Sequence, residues 1–164
     1  MNLIEKLYWE VIKGNRYDLD GASQHNDELK ALKVSAKDMP EAEAYFLKTN
    51  HFGCCLHYAM ALYKALRDEQ VKCFIAITLE ENPETKKITD MHVSVCYTKG
   101  GKRYIADPVE SVKRGGKGQY FEIPIDYYGL TNGTIWLFDP YGEHRDELFF
   151  EDFLCHPVEI IRVD

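Results

Sequence analysis

Two adjacent cysteines, Cys54 and Cys55, stand where a helix is predicted to begin. Gly53 precedes them, and from Leu56 onward apolar residues recur at the spacing of one helix face. A helix N-terminus carries partial positive charge and unpaired N–H groups, which favour a thiolate over a thiol. The position of the pair therefore indicates a thiol nucleophile.

An activated thiol also needs an imidazole to take and return its proton, and a third group to fix the imidazole tautomer. His92 and Asp107 meet this need if residues 99–102 close a hairpin with a two- or four-residue loop. That loop places Ser94 opposite Asp107, and because side chains alternate, His92 lies on the same face as the carboxylate. A three-residue loop would break the arrangement. The opposite face of the His92 strand is apolar and is expected to pack against the core, which leaves the His92 face as the polar one.

The elements that must position these side chains change type once along the chain. Periodicity predicts helices first, at residues 3–13, 40–48 and from Cys55 onward, with residues 15–26 as a loop. Strands follow at residues 71–79, 88–98, 103–107, 119–125, 134–138 and 158–163, with a loop at 113–118 and a short helix near 143–153. Helices followed by adjacent strands favour an α+β fold with a mainly antiparallel sheet.

Length and charge restrict the classes of protein to which the chain can belong. Its 164 residues, 45% of them apolar, are enough for one core, so we expect a single domain over residues 1–164. A net charge of −7 argues against nucleic acid or an anionic membrane as the partner. No run reaches the roughly 18 apolar residues of a membrane span, and the N-terminus lacks the pattern of a signal peptide. We therefore expect a cytoplasmic protein.

The cysteine count supports that compartment. Five cysteines are an odd number, and the adjacent pair does not suit a small disulfide framework. We predict that they are mostly reduced thiols, as is usual in the cytoplasm.

Three blocks of sequence resemble the transglutaminase-like superfamily, a group of papain-like cysteine enzymes. The run Gly53-Cys54-Cys55-Leu56-His57-Tyr58-Ala59 is similar to its G-x-C-x-x-[FY]-A signature. Asp90-Met91-His92-Val93 resembles its strand histidine, and Tyr104-Ile105-Ala106-Asp107-Pro108 resembles its Asp-Pro block. The blocks span residues 53–108 in the order of the compact bacterial members. The resemblance implies a papain-like fold in which the cysteine helix packs on the antiparallel sheet.

The resemblance also implies a role for each residue. Cys55 occupies the third position of the signature and is the expected nucleophile, with His92 as general base and acid and Asp107 as the orienting carboxylate. Cys54 is expected to be a structural neighbour. An oxyanion hole needs the Cys55 backbone N–H and a second donor, for which Asn50 or a backbone amide near Phe52 is a candidate.

The implied activity is hydrolysis of a peptide or amide bond in a peptide or protein substrate through a thioester, with no cofactor and no metal. Two alternatives stay open, namely transfer of the acyl group to an amine and a non-catalytic interaction module that keeps the fold. The family often has a tryptophan soon after the histidine, and Val93-Ser94 does not supply it. The acyl acceptor and the oligomeric state are therefore left open.

Some of the same residues also fit other kinds of site. The cluster His51, Cys54, Cys55 and His57 suggests zinc, but it lacks the two separated ligand pairs of a structural site, and His57 is expected on the exposed face of its helix. Asp139, in a second Asp-Pro pair, is a weaker candidate for the orienting carboxylate. The basic loop at residues 113–118 is expected to be solvated, although it could form a rim that attracts acidic substrate groups.

Overall fold

A computed structural model gives the fold and describes residues 1–116, 119–127, 133–143 and 148–163. Helices dominate the first part of the chain and strands the second. In chain order the elements are α1 (Leu3–Ile12), β1 (Arg16–Tyr17), α2 (Leu19–Ala31), α3 (Met39–Asn50), β2 (Phe52–Gly53), α4 (Cys55–Asp68), β3 (Cys73–Glu81), β4 (Ile88–Lys99), β5 (Lys102–Ala106), α5 (Pro108–Val112), β6 (Glu122–Pro124), a 3₁₀ turn (Ile125–Tyr127), β7 (Gly133–Phe138), α6 (Phe150–Phe153) and β8 (Glu159–Val163).

The large sheet has six strands in the order β6-β5-β4-β3-β7-β8, and every neighbouring pair is antiparallel. The predicted α+β class with an antiparallel sheet is therefore confirmed. A separate parallel pair, β1 with β2, lies among the helices and aligns Tyr17 with Gly53.

The hairpin between β4 and β5 has a two-residue loop. Gly100 and Gly101 both have positive φ, +59° and +78°, as a type I′ turn requires, and Lys99 pairs with Lys102. The register continues inward to the pair Val95 and Ala106. This is the register predicted from the sequence.

The main core lies between α4 and one face of the sheet. Its buried members include Tyr58, Leu62, Tyr63 and Leu66 of α4, together with Ile75 of β3 and Val93, Val95 and Tyr97 of β4. The predicted apolar face of β4 is thus confirmed at these three positions, although Met91 near the start of the strand is exposed. The His92 face is less polar than predicted, because Cys96 belongs to a second buried apolar cluster with Ala76 and Ile105.

The prediction of a loop at residues 15–26 is wrong for most of that segment, which forms α2. Asp18 caps the helix by accepting a hydrogen bond from the Gly21 amide at 3.1 Å. Ala22 and Leu29 supply the buried side of α2. A sparse apolar pattern concealed the helix, whose position depends on packing against its neighbours.

The remaining predictions concern the termini and loops. All five cysteines lie in the described part of the chain and are free thiols. Residues 113–116 form the predicted turn, while residues 117–118 and 144–147 lie outside the described residues. No helix in the described part of the chain is both long and apolar enough to cross a membrane.

Candidate active site

The start of α4 places the two cysteines in different environments. Cys54 is the N-cap residue and is 4% exposed, whereas Cys55 is the first helical residue and is only partly buried. Gly53 is enclosed: a Cβ atom there would lie 2.6 Å from Leu47 Cδ2 and 2.8 Å from His57 Cβ. No side chain larger than a hydrogen atom fits at position 53 without displacing its neighbours, so the residue two positions before Cys55 has to be glycine.

We expect Gly53→Ala to destabilise the protein by about 1–3 kcal/mol, because the added methyl group overpacks a buried site. The same displacement moves the start of α4, so alkylation of Cys55 by iodoacetamide should also change in rate. Urea unfolding and mass-spectrometric labelling measure the two effects. An unchanged free energy of unfolding would contradict this account of the glycine.

His92 and Asp107 meet as the register predicted. His92 Nε2 lies 2.5 Å from Asp107 Oδ2, and the carboxylate is 1% exposed. Asp107 Oδ1 accepts a hydrogen bond from the Val109 amide at 3.1 Å, so the same side chain caps α5. Pro108 occupies the first turn of that helix, where its missing N–H costs nothing. The Asp-Pro pair thus fixes a carboxylate, through a helix cap, beside the histidine.

A second contact holds the backbone of Asp107. The hydroxyl of Tyr8, a fully buried residue of α1, donates to the Asp107 carbonyl at 2.9 Å and lies 2.7 Å from Ser111 Oγ. With His92 Nε2 engaged by the carboxylate, Nδ1 is the ring nitrogen left to exchange a proton with a thiol.

Cys55 lies beside the His92 strand. The backbone amide of Val93, the residue after His92, donates a hydrogen bond to the Cys55 sulfur, and the charge of Asp107 acts on the same thiol. The structure therefore brings the start of α4, the strand β4 and the end of β5 to one place. Cys55 and His92 belong to the first two elements, and Asp107 directly follows the third.

The charge distribution between the two cysteines differs from the expectation. A hydrogen bond with Cys54 and burial raise the pKa of the Cys55 thiol. The hydrogen bond from Cys55 and the contacts with His57 lower the pKa of Cys54 to about 4, although burial opposes them. The contacts at the start of α4 thus favour the anion of Cys54 over that of Cys55.

The pKa of His92 is raised. Burial alone would lower it, but the hydrogen bond and the charge of Asp107 outweigh burial. A histidine held in this way retains its proton more strongly than a free imidazole.

The raised pKa makes the stability contribution of His92 depend on pH. It is fully present below the unfolded-state pKa, about 6.5, and is lost as pH rises through the higher folded-state pKa. The free energy of unfolding should therefore fall more in the wild type than in His92→Gln as pH rises above about 6.5. His51→Gln, a change at an exposed histidine, should follow the wild type. Identical pH profiles for the wild type and His92→Gln would contradict the pairing.

His57 is not on an exposed face, contrary to the prediction. It is 0% exposed, its Nδ1 accepts the Cys54 amide at 3.2 Å, and the same nitrogen lies 3.2 Å from the Cys54 sulfur. On the other side of the ring, Nε2 lies 2.8 Å from Glu43 Oε2, and Glu43 is also 0% exposed. Asn26 Nδ2 reaches the Cys54 sulfur at 3.6 Å. The spacing of Cys54 and His57 is that of a capping box, which is the signal that could have revealed the contact.

Two other candidates have different partners. Asn50 is exposed, and its amide donates to the Phe46 carbonyl at 3.0 Å and to Thr49 at 3.1 Å. The Asn50 amide is hydrogen-bonded within its own helix, so we no longer propose it as an oxyanion donor. Asp139 accepts hydrogen bonds from the Tyr63 hydroxyl and, at 2.7 Å, from Arg67. The carboxylate beside His92 is Asp107.

Tyr17 and Lys113 border the site. Burial and the charges of Cys55, Cys54 and Asp107 raise the pKa of Tyr17. The Lys113 ammonium lies 4.9 Å from the centre of the Tyr17 ring. Tyr17 pairs with Gly53, two residues before Cys55, so this residue lies beside the start of α4.

The possible metal ligands form a different set from the one considered in the sequence. In the part of the chain that the structure describes, one group of at least three His, Cys, Asp or Glu side chains converges, and it consists of His25, Glu43 and His57. His51 is exposed, with Nδ1 3.3 Å from Asn15 Oδ1, and does not belong to it.

In comparisons with known proteins, no protein-family model matches the chain, and no curated protein matches its sequence.

Proposed function

We propose that the chain is a papain-like, transglutaminase-like cysteine hydrolase that cleaves amide bonds in a peptide or protein. The observation that carries the proposal is the 2.5 Å contact between His92 Nε2 and Asp107 Oδ2, at the register expected for a catalytic pair. The Cys55 sulfur accepts a hydrogen bond from the backbone amide of Val93, the residue after His92. The three sequence blocks that resemble the superfamily support the same assignment.

The chemistry begins with transfer of the Cys55 proton to His92 Nδ1 as the sulfur attacks the amide carbonyl. Asp107 holds the Nε2 proton and stabilises the imidazolium. His92 then gives the transferred proton to the leaving nitrogen, the C–N bond breaks, and an amine departs from a thioester on Cys55. Water, deprotonated by His92, attacks the thioester and releases the carboxylic acid and the thiol.

The oxyanion requires donors near Cys55. The backbone N–H of Cys55 is in the first turn of α4, where amides have no intrahelical partner. Tyr17, whose backbone pairs with Gly53 beside the start of α4, replaces Asn50 as our candidate for the second donor.

Cys55 is a better nucleophile candidate than Cys54 because of access. Cys54 is almost fully buried and faces His57 and Asn26, whereas part of Cys55 reaches solvent. Five free thiols also favour a reducing compartment such as the cytoplasm.

The reaction class is tested by incubating the full chain with a mixture of peptides and a dansylated primary amine. Hydrolysis predicts new peptide termini without dansyl incorporation, and Cys55→Ala should produce neither. Dansyl attached to glutamine side chains of uncleaved peptides would instead assign the amine transferase. If the folded wild type and Cys55→Ala gave identical peptides, the chain would be a non-catalytic module and the proposal would be wrong.

A further inference from the structure

A buried polar cluster lies where α2, α3 and α4 meet, and the hydrolase mechanism does not use it. His25 comes from α2, Glu43 from α3 and His57 from α4, and one ligand atom of each lies within 4.8 Å of the others. Glu43 and His57 are completely buried, and His25 is partly buried. Three helices therefore direct two imidazoles and a carboxylate at a common point.

The polar atoms of this cluster are poorly satisfied. Both oxygens of Glu43, His25 Nε2 and His57 Nε2 are buried without a well-directed hydrogen bond in the described part of the chain. The 2.8 Å contact between His57 Nε2 and Glu43 Oε2 brings the groups together, but one N–H can serve only one of the two oxygens. His25 Nε2 remains without a partner beside them. A buried carboxylate in this state requires a compensating positive charge.

We propose that His25, Glu43 and His57 bind a divalent transition-metal ion, with Zn²⁺ as the ion best suited to two imidazoles and one carboxylate. The ligand atoms are the two Nε2 atoms and the Glu43 carboxylate, and a water molecule completes a tetrahedral shell. The ion would place a positive charge beside the buried carboxylate, in addition to the His57 ring that lies 2.8 Å from it. It also joins three helices that otherwise meet through packing.

His57 Nδ1, the ring nitrogen that does not bind the ion, has a hydrogen-bond partner in either tautomer of the ring. When the proton is on Nε2, Nδ1 accepts the Cys54 amide at 3.2 Å. With an ion on Nε2, the ring proton moves to Nδ1, and the Cys54 sulfur at 3.2 Å accepts it. Such an outer hydrogen bond orients the ligand ring, as is usual for metal-bound histidine.

The site is distinct from the thiols. Neither Cys54 nor Cys55 belongs to the converging group, so the expected donors are nitrogen and oxygen only. The proposal therefore does not rest on the hydrolase function, and a spectroscopic probe can separate the two kinds of donor.

The test is titration of Zn²⁺, and of Co²⁺ as its spectroscopic substitute, into the full chain after treatment with a chelator. We expect one Zn²⁺ per chain by calorimetry, a higher melting temperature, and cobalt ligand-field bands without a thiolate-to-cobalt charge-transfer band. His25→Ala and Glu43→Gln should each weaken Zn²⁺ binding more than about 10-fold. Cys55→Ser and the exposed-histidine control His51→Ala should bind like the wild type.

Three results would overturn the proposal. The first is no Zn²⁺ binding by a chain that circular dichroism shows to be folded. The second is a thiolate-to-cobalt band that disappears in Cys54→Ser or Cys55→Ser. The third is unchanged affinity in His25→Ala, whose partly exposed position makes folding failure the least expected of the ligand variants.

Discussion

Cys55→Ser is expected to lower the rate of hydrolysis of a reactive aryl ester by about 10⁴-fold or more, whereas Cys54→Ser retains most of the activity. Under the proposed mechanism, the first change replaces the attacking sulfur with a far weaker nucleophile. The Cys55 sulfur also accepts a hydrogen bond from the backbone amide of Val93, the residue after His92. The second change leaves a residue that caps helices well. Steady-state kcat/KM for the two variants measures the difference.

The adjacent cysteines make this a matched comparison. Both substitutions replace one sulfur with one oxygen at the start of α4, so general damage to the helix would affect both variants. If Cys54→Ser were the inactive variant, the nucleophile would be Cys54 and its base His57, and the assignment of Cys55 would be wrong. Equal rates in both variants and the wild type would remove the thiol mechanism altogether.

His92→Ala is expected to lower kcat/KM by about 10²–10⁴-fold, the usual contribution of a general acid–base group. In the proposed mechanism the imidazole takes the thiol proton and returns it to the leaving group, so its removal should slow formation of the acyl-enzyme and departure of the amine. The His92 side chain is 24% exposed. Its replacement should therefore cost less free energy of unfolding than it adds to the activation free energy of the reaction. Added imidazole should restore part of the activity, which a purely structural role does not predict.

His51→Ala is the control for that variant, because His51 is exposed and lies at the end of α3. Its kcat/KM should equal that of the wild type. A His92→Ala protein with full activity, or one that is inactive only because it is unfolded, would contradict the proposed role.

Local turn chemistry made one part of the site predictable. Gly100 and Gly101 supply the two positive φ angles of a tight hairpin, which fixes the pairing of β4 with β5. Because side-chain direction in a strand alternates strictly, that pairing was enough to bring His92 and Asp107 to one face. The position of the cysteines at a helix start followed in the same way from the apolar spacing after Gly53.

Long-range contacts explain what the sequence did not reveal. The polar segment that forms α2 is held in place by tertiary packing, which local composition does not report. His57 seemed to belong to an exposed face because its partner Glu43 lies on another helix. Likewise, the hydroxyl of Tyr8 in α1 reaches the Asp107 carbonyl across 99 positions of sequence. None of these contacts has a local pattern.

Asn50 shows that proximity in sequence can also suggest a contact that the fold does not make. Its place a few residues before Cys55 suggested an oxyanion donor, but the last turn of α3 turned its amide toward the Phe46 carbonyl. A side chain near a nucleophile in sequence can satisfy its own helix end instead.

The most direct test of the central claim is to identify the acylated atom. The wild-type chain is mixed with an aryl ester, quenched with acid within one turnover, digested and mapped by tandem mass spectrometry. We predict one acyl group on Cys55, sensitive to hydroxylamine as a thioester is, and absent in Cys55→Ala. An acyl group on Cys54 or on lysine side chains, or no acyl-enzyme in a chain that still hydrolyses the ester, would contradict nucleophilic catalysis by Cys55.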